Sequence, residues 1–244
     1  MPTVYFIGAG PGAADLITVR GARLLAQAQV VLFDALADPA LRDLAPQARW
    51  VDVGKRGYTD GSALQANINE LILQHAAQAE IVVRLKGGDP SIFGRLDEEL
   101  QAVIGAGIAC EVVPGVTAAV AAAAGTLRPL TRRGSGRSVS LATAMTRTGD
   151  LHATRTADTE IYYMAGKQLG ELAQRLIAAG WPGRTPASAV SRAGWPDQQH
   201  SEHTLDTLAA ASDIHAGRPT VVVVGVGATA VLDAASRQPS SPRT

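Results

Sequence analysis

The 244-residue sequence predicts an α/β protein, two α/β domains with a ligand cleft between them. Three observations carry this reading. Short Val- and Ile-rich runs alternate with helical patterns, the rhythm of parallel strands covered by helices on both faces. Glycine-bearing turns follow several of those runs. Periodicity then fails over 126–137, "TLRPLTRRGSGR", before a second strand–helix series begins.

In chain order, strands are expected at 3–7 (TVYFI), 29–33 (QVVLF), 49–53 (RWVDV), 80–85 (EIVVRL) and 109–113 (ACEVV). Helical patterns lie between and after them, around 18–28, 39–46, 63–77, 95–105 and 116–124. The second series places strands at 138–143 (SVSLAT), 159–164 (TEIYYM), 187–191 (ASAVS) and 219–225 (PTVVVVG), with helices near 167–179 and 204–211. The polar tail "SRQPSSPRT" is expected to be disordered. Domains are therefore expected at 1–130 and 131–235, with 236–244 as a tail. No internal repeat is evident, because the glycine motifs of the first half do not recur in the second.

Composition narrows the function. The 22 basic residues balance the 22 acidic ones, so no global field gathers nucleic acid or an anionic membrane. An anionic ligand must be met by local groups. The single cysteine, Cys110, excludes an intramolecular disulfide, and its apolar run reads as core. No apolar run reaches membrane-spanning length, and because a strand is expected from residue 3, no signal peptide is expected. A cytoplasmic protein is expected. His200 and His203 stand three apart in "DQQHSEH" without clear ligand partners, so that stretch reads as a solvated loop and no metal site is expected. No G-x-S-x-G nucleophile signature is present.

The chemistry concentrates in the glycine turns. Gly8-Ala9-Gly10-Pro11-Gly12-Ala13 fits the loose dinucleotide pattern, and Asp34 closes the second strand where a ribose-binding acid would sit. A NAD-dependent oxidoreductase would then need a helix beginning at Gly10–Ala13, its N–H groups turned to the pyrophosphate. Pro11 removes one such donor, and the helical pattern starts only after "AADLIT", with Thr18 as its N-cap. Two further turns follow other strands: Gly87-Gly88-Asp89-Pro90 after the fourth, and Pro114-Gly115 after the fifth, where Thr117 opens an Ala-rich helix. Three such turns at the carboxyl ends of parallel strands would line one crevice. Their glycines admit close backbone approach, and Asp89 offers a carboxylate to a hydroxyl or an amine.

The stretches "VYFIGAGPG…DLIT", "VVLFDAL", "VGKRG", "VVRLKGGDPSIFGR", "VVPGVTAA" and "IYYMAG" occur in order. By them the chain resembles the tetrapyrrole methylase family over about residues 3–226. The resemblance implies two α/β domains, a homodimer, and S-adenosyl-L-methionine in the interdomain cleft, leaving as S-adenosyl-L-homocysteine. It implies donor contacts at Pro11, Gly87, Gly88, Asp89, Ile92, Thr117, Ala118, Met164 and Gly194. The implied reaction is methylation of uroporphyrinogen III at C2 and then C7, which feeds sirohaem and cobalamin biosynthesis. Asp34 matches the family's proton acceptor and Lys55 its proton donor. The acceptor is a polycarboxylate, so Arg56, Lys86, Arg95, Arg132 and Arg133 are its expected partners. The chain also departs from the family's usual pattern. It reads "FDALA" for "YDRLV", "FGRLDEE" for "FGRGGEE" and "RPLTRRGS" for "GIPLTHRD", which places Ala35, Leu96, Asp97 and Arg132 on the substrate side. Another precorrin methyltransferase and a non-catalytic donor-binding paralogue therefore stay open beside the main reading.

Overall fold

The computed structural model describes residues 1–34, 36–54, 61–144, 151 and 153–231, with the side chains of 61–64 excepted. The chain forms two compact units. The first comprises Met1–Ala118 and Gly194–Pro196; the second comprises Ala119–Ala193 and the chain from Asp197 onward. As the sequence predicts, the protein is α/β with two sheets.

In the first unit, β1 (Thr3–Gly8), β2 (Val30–Phe33), β3 (Arg49–Asp52), β4 (Ile81–Lys86) and β5 (Ala109–Val113) form a sheet of order β3-β2-β4-β1-β5. All its pairings are parallel. Parallel strands need crossovers, supplied by α1 (Val19–Leu25), α2 (Gly61–Ala76), α3 (Leu96–Gly105) and a 3-10 helix at Pro39–Leu44. The period of two divides the strands between two apolar layers. Ile7, Val31, Val83 and Leu85 face one layer with Leu25 and Leu41. Val4, Phe6, Leu32 and Val82 face the other with Ile68, Ile72 and Val103. Cys110 is only partly buried and packs against that second layer.

Two helix starts follow local rules. Thr18 caps α1, its hydroxyl accepting the Gly21 N–H at 3.1 Å. Leu96 and Asp97, the two departures from the family's glycines, occupy the first turn of α3. Leu96 packs on the core, while Asp97, Glu98 and Glu99 put negative charge at the helix N-terminus.

In the second unit, α4 (Ala118–Gly125) leads to β6 (Val139–Thr143), β7 (Thr159–Tyr163), α5 (Leu169–Ala178), β8 (Pro186–Ser191), β9 (Gln199–Thr204) and β10 (Thr220–Gly225). The sheet order is β6-β7-β10-β8-β9; β6 and β7 run parallel, and the other pairs antiparallel. Leu169, Leu172, Ala173 and Leu176, at helical spacing, bury one face of α5 against Tyr162, Ala187, Val222 and Val224. Within 126–137, Arg128 is buried, donating to the Ala228 and Thr126 carbonyls and pairing with Glu202.

Three expectations are corrected. The segments 39–46 and 204–211 are 3-10 helices (Pro39–Leu44 and Leu205–Ala211), and "QHSEHT" is not a solvated loop but edge strand β9. An edge strand has one half-buried face, so polar residues suffice for it. Its histidines are tied inward. His200 Nε2 lies 2.9 Å from Ser188 Oγ, and His203 Nε2 lies 2.8 Å from Ser201 Oγ. Ser201 Oγ is 2.8 Å from His215 Nε2, whose Nδ1 is 2.9 Å from Ser191 Oγ. Arg218 Nε donates to that Ser191 oxygen at 3.0 Å.

Burial first, then the charges of His203 and Arg218, holds His215 below its ordinary value of 6.5; burial and Arg128 do the same for His200, against Glu202. The folded state then binds fewer protons than the unfolded chain, so this stability is present above pH 6.5 and is lost as pH falls below it. Urea unfolding at descending pH checks this: the midpoint falls below pH 6.5, and more shallowly for His215→Asn.

Candidate active site

The turns after β1, β4 and β5 meet because β1 lies between β4 and β5. Their contact is backbone on backbone. A Cβ on Gly8 would stand 2.6 Å from Gly115 Cα and 2.7 Å from the Gly88 carbonyl oxygen; one on Gly115 would stand 2.3 Å from that oxygen. No side chain fits there. Gly10 and Gly88, both at positive φ, form an antiparallel bridge: Gly88 N–H donates to the Gly10 carbonyl at 2.7 Å, and Gly10 N–H returns the bond at 3.3 Å. Gly12 packs equally closely on Gly194, whose carbonyl accepts the Ala13 N–H at 2.8 Å.

Asp89 fastens the crossing. Its Oδ2 accepts the Gly115 N–H at 2.8 Å, and its Oδ1 the Ser91 N–H at 2.8 Å. The sequence offers this carboxylate to a ligand; the structure shows both oxygens already holding main chain, which makes Asp89 a clamp between two turns.

The dinucleotide geometry is absent here. After Gly12 the chain makes a 3-10 turn at Ala14–Leu16, and α1 begins only at Val19. Asp34 is also engaged: Oδ1 accepts from Leu36 N–H at 3.1 Å, and Oδ2 from Gly87 N–H at 3.5 Å. One wall of the crossing stays open. Among the described residues a Cβ on Gly88 would meet only Thr117 Cα, at 3.9 Å, so that face has room for a ligand group.

Beneath Asp34 lies a charge cluster that sequence reading missed. In the parallel register Leu32 pairs with Arg84, so Asp34 lies on the strand face of Arg84 and Lys86. That face is otherwise apolar. Arg84 Nε donates to Glu99 Oε1 at 3.0 Å, and Lys86 Nζ to Glu99 Oε2 at 2.7 Å. Arg84 and Lys86 are 4% and 3% exposed, and Glu99 is fully buried. Gln65 donates to Glu99 at 3.4 Å. Burial, followed by the Arg84 charge, pulls the Lys86 ammonium below the usual lysine range, against the opposing pull of Glu99 and Asp34. The available signal was two cations, two residues apart, inside a Val-rich strand.

The remaining expected residues separate plainly. Pro11, Gly87, Gly88, Asp89, Ile92, Thr117, Ala118 and Gly194 belong to the first unit. Met164 belongs to the second, 53% exposed and at positive φ rather than in a core. Lys55 and Arg56 lie outside the described residues. Among the expected substrate cations, Lys86 is buried on Glu99 and turned to the interior. Arg95 is exposed and forms a two-pronged pair with Glu98, at 2.7 and 2.8 Å. Arg132 spends its guanidinium on the carbonyls of Thr229 and Ala230. Arg133 is exposed. Phe93 and Arg95 flank Gly94 in left-handed conformations, so "FGR" is a strained turn. Among the described residues no cluster of His, Cys, Asp and Glu could hold a metal ion.

The chain is similar to known proteins in sequence and fold. Residues 3–209 match the family of tetrapyrrole (corrin/porphyrin) methylases. The siroheme synthase of a Psychrobacter species is 40% identical over 235 residues, covering 94% of this chain and 48% of that protein. The chain thus spans about half the length of that curated relative. The uroporphyrinogen-III C-methyltransferase of a Synechocystis species is 37% identical over 250 residues, covering 99% of this chain and 94% of that one. The solved Thermus thermophilus uroporphyrin-III C-methyltransferase, in complex with S-adenosylhomocysteine, superposes with a TM-score of 0.79 at 34% identity, covering 91% and 92% of the two chains.

Two substitutions test the crossing by urea unfolding. Gly115→Ala forces a Cβ against a carbonyl oxygen and is expected to cost about 3 kcal/mol. Asp89→Ala leaves two N–H groups without their charged acceptor and is expected to cost about 2 kcal/mol.

Proposed function

The chain belongs to the tetrapyrrole (corrin/porphyrin) methylase family, and from that membership we propose that it methylates uroporphyrinogen III at C2 and C7, using S-adenosyl-L-methionine. The observation that carries this reading is the open face of Gly88 beside Thr117, with Asp34 at the root of the same turn. A Cβ at Gly88 would fill that space, and no other residue type keeps it clear at this positive φ without strain. In this reading Pro11, Gly87, Gly88, Asp89, Ile92, Thr117, Ala118, Met164 and Gly194 hold the donor. The partly buried Pro11, Ile92 and Ala118 suit its flat base, and the turn N–H and C=O groups suit its ribose and amino-acid tail. When bound, the donor supplies an electrophilic methyl group.

The chain's own part is positioning and proton transfer. The pyrrole carbon is electron-rich, so orientation toward the methyl group is the main requirement. After methylation the ring must release a proton, and Asp34, 27% exposed at the end of β2, is the carboxylate in reach of the Gly87 turn to accept it. We assign the complementary donor role to Lys55. We assign the acceptor carboxylates to Arg133 and Arg95, both exposed, and to Arg56; Lys86 is instead engaged by Glu99, and Arg132 by the Thr229 and Ala230 carbonyls. Ala35, which follows Asp34 in sequence, lies outside the described residues.

No helix among the described residues is long and apolar enough to cross a membrane. We read the protein as a cytoplasmic homodimer serving sirohaem or cobalamin formation, a reading that rests on its family.

Incubation with S-adenosylmethionine and freshly reduced uroporphyrinogen III, followed by mass analysis, tests the activity. A gain of two methyl groups is expected. No gain, with S-adenosylhomocysteine still bound, would move the acceptor to another precorrin or leave a non-catalytic binder; binding of NAD alone would overturn the reading. Calorimetry tests the site: Gly88→Ala is expected to weaken S-adenosylhomocysteine binding about tenfold or more, yet to cost only about 1–2 kcal/mol of stability.

A further inference from the structure

The buried Arg84–Glu99–Lys86 group has no part in the reading above, and it is costly. Each ion taken out of water loses several kcal/mol of hydration, and an ion pair recovers this only with good geometry and full hydrogen bonding. Here two cations share one buried carboxylate, so Glu99 leaves one positive charge over. The nearest further carboxylate among the described ion pairs is Asp34, its Oδ2 3.8 Å from Arg84 Nη2. Counted with Asp34, the group is neutral.

The hydrogen bonding is directional. Glu99 takes Arg84 through Nε, and Arg84 Nη1 donates to the Leu85 carbonyl at 2.9 Å, which fixes the plane of the guanidinium. The fork therefore presents Nη2 to Asp34. Lys86 occupies the second Glu99 oxygen, so the carboxylate cannot turn away from Arg84. Helix α3 and the carboxylate at the end of β2 are thereby linked through one arginine. The Gly87 N–H reaches the same Asp34 oxygen from the glycine turn.

We propose that Arg84 and Glu99 are positioning residues for Asp34, with Glu99 anchoring Arg84 and Arg84 holding the carboxylate toward the Gly87 turn. The proposal rests on the reading of Asp34 as proton acceptor. Lys86 belongs to the same device as the second anchor of Glu99.

A double-mutant cycle tests it on the full chain, with kcat for uroporphyrinogen III methylation, S-adenosylhomocysteine affinity by calorimetry, and thermal unfolding as readouts. Arg84→Gln is expected to lower kcat about tenfold or more while donor affinity stays within about twofold. In an Asp34→Asn background the same change is expected to cost no further kcat, because its effect passes through that carboxylate. Glu99→Gln, which keeps the shape of the side chain, is expected to behave alike and serves if Arg84→Gln does not fold. If both losses multiply with that of Asp34→Asn, the pair is merely structural and the proposal is overturned, with Asp34 still the acceptor. If Asp34→Asn alone keeps full kcat, the acceptor reading itself falls, and the proposal with it.

Discussion

Three backbones cross at Gly8, Gly88 and Gly115, with no space for a Cβ at Gly8 or Gly115, and the turns of the first unit are arranged around that contact. It exists because β1 lies between β4 and β5, so the turns leaving all three strands converge. Bare peptide on bare peptide brings N–H and C=O groups within bonding distance, and the Gly10–Gly88 bridge and the Asp89 clamp use them. A Rossmann turn spends its glycines on a ligand's phosphates. Here most of them are spent on one another, and Gly88 alone keeps an open face.

The second constraint is charge. A chain with equal numbers of acids and bases still buries Arg84, Lys86 and Glu99 beneath the strand that carries the glycine turn. Such a cluster adds little to stability and is easily made worse by removing one member. Its location is its meaning: between helix α3 and the carboxylate at the end of β2. The polar network of the second sheet is of a different kind. It knits edge strand β9 to β8 through Ser–His contacts, and its consequence is acid sensitivity rather than chemistry.

Much of this was legible beforehand. Buried parallel strands read as Val- and Ile-rich runs, so β1, β2, β4 and β5 fell where expected, and Thr18 capped α1 as its residue type foretold. Strand β9 escaped because an edge strand needs no apolar run, and "QHSEHT" carries none. Lys86 looked like a pocket cation because sequence shows charge without direction; strand alternation turns it under α3 instead. Asp89 reads in the sequence as a ligand carboxylate, and only the convergence of two turns reveals that it also holds main-chain groups of both. Glu99 gave no signal at all, since its partners stand 13 and 15 residues away on another element.

In the proposed function the glycine crossing forms the wall that receives the methyl donor. Amide hydrogen exchange with and without saturating S-adenosylhomocysteine tests it directly. The account predicts added protection concentrated at the amides of Gly87–Ser91 and Gly115–Ala118, with the β9–β8 edge unchanged. Saturated binding that leaves those two segments exchanging as in the free protein would contradict it.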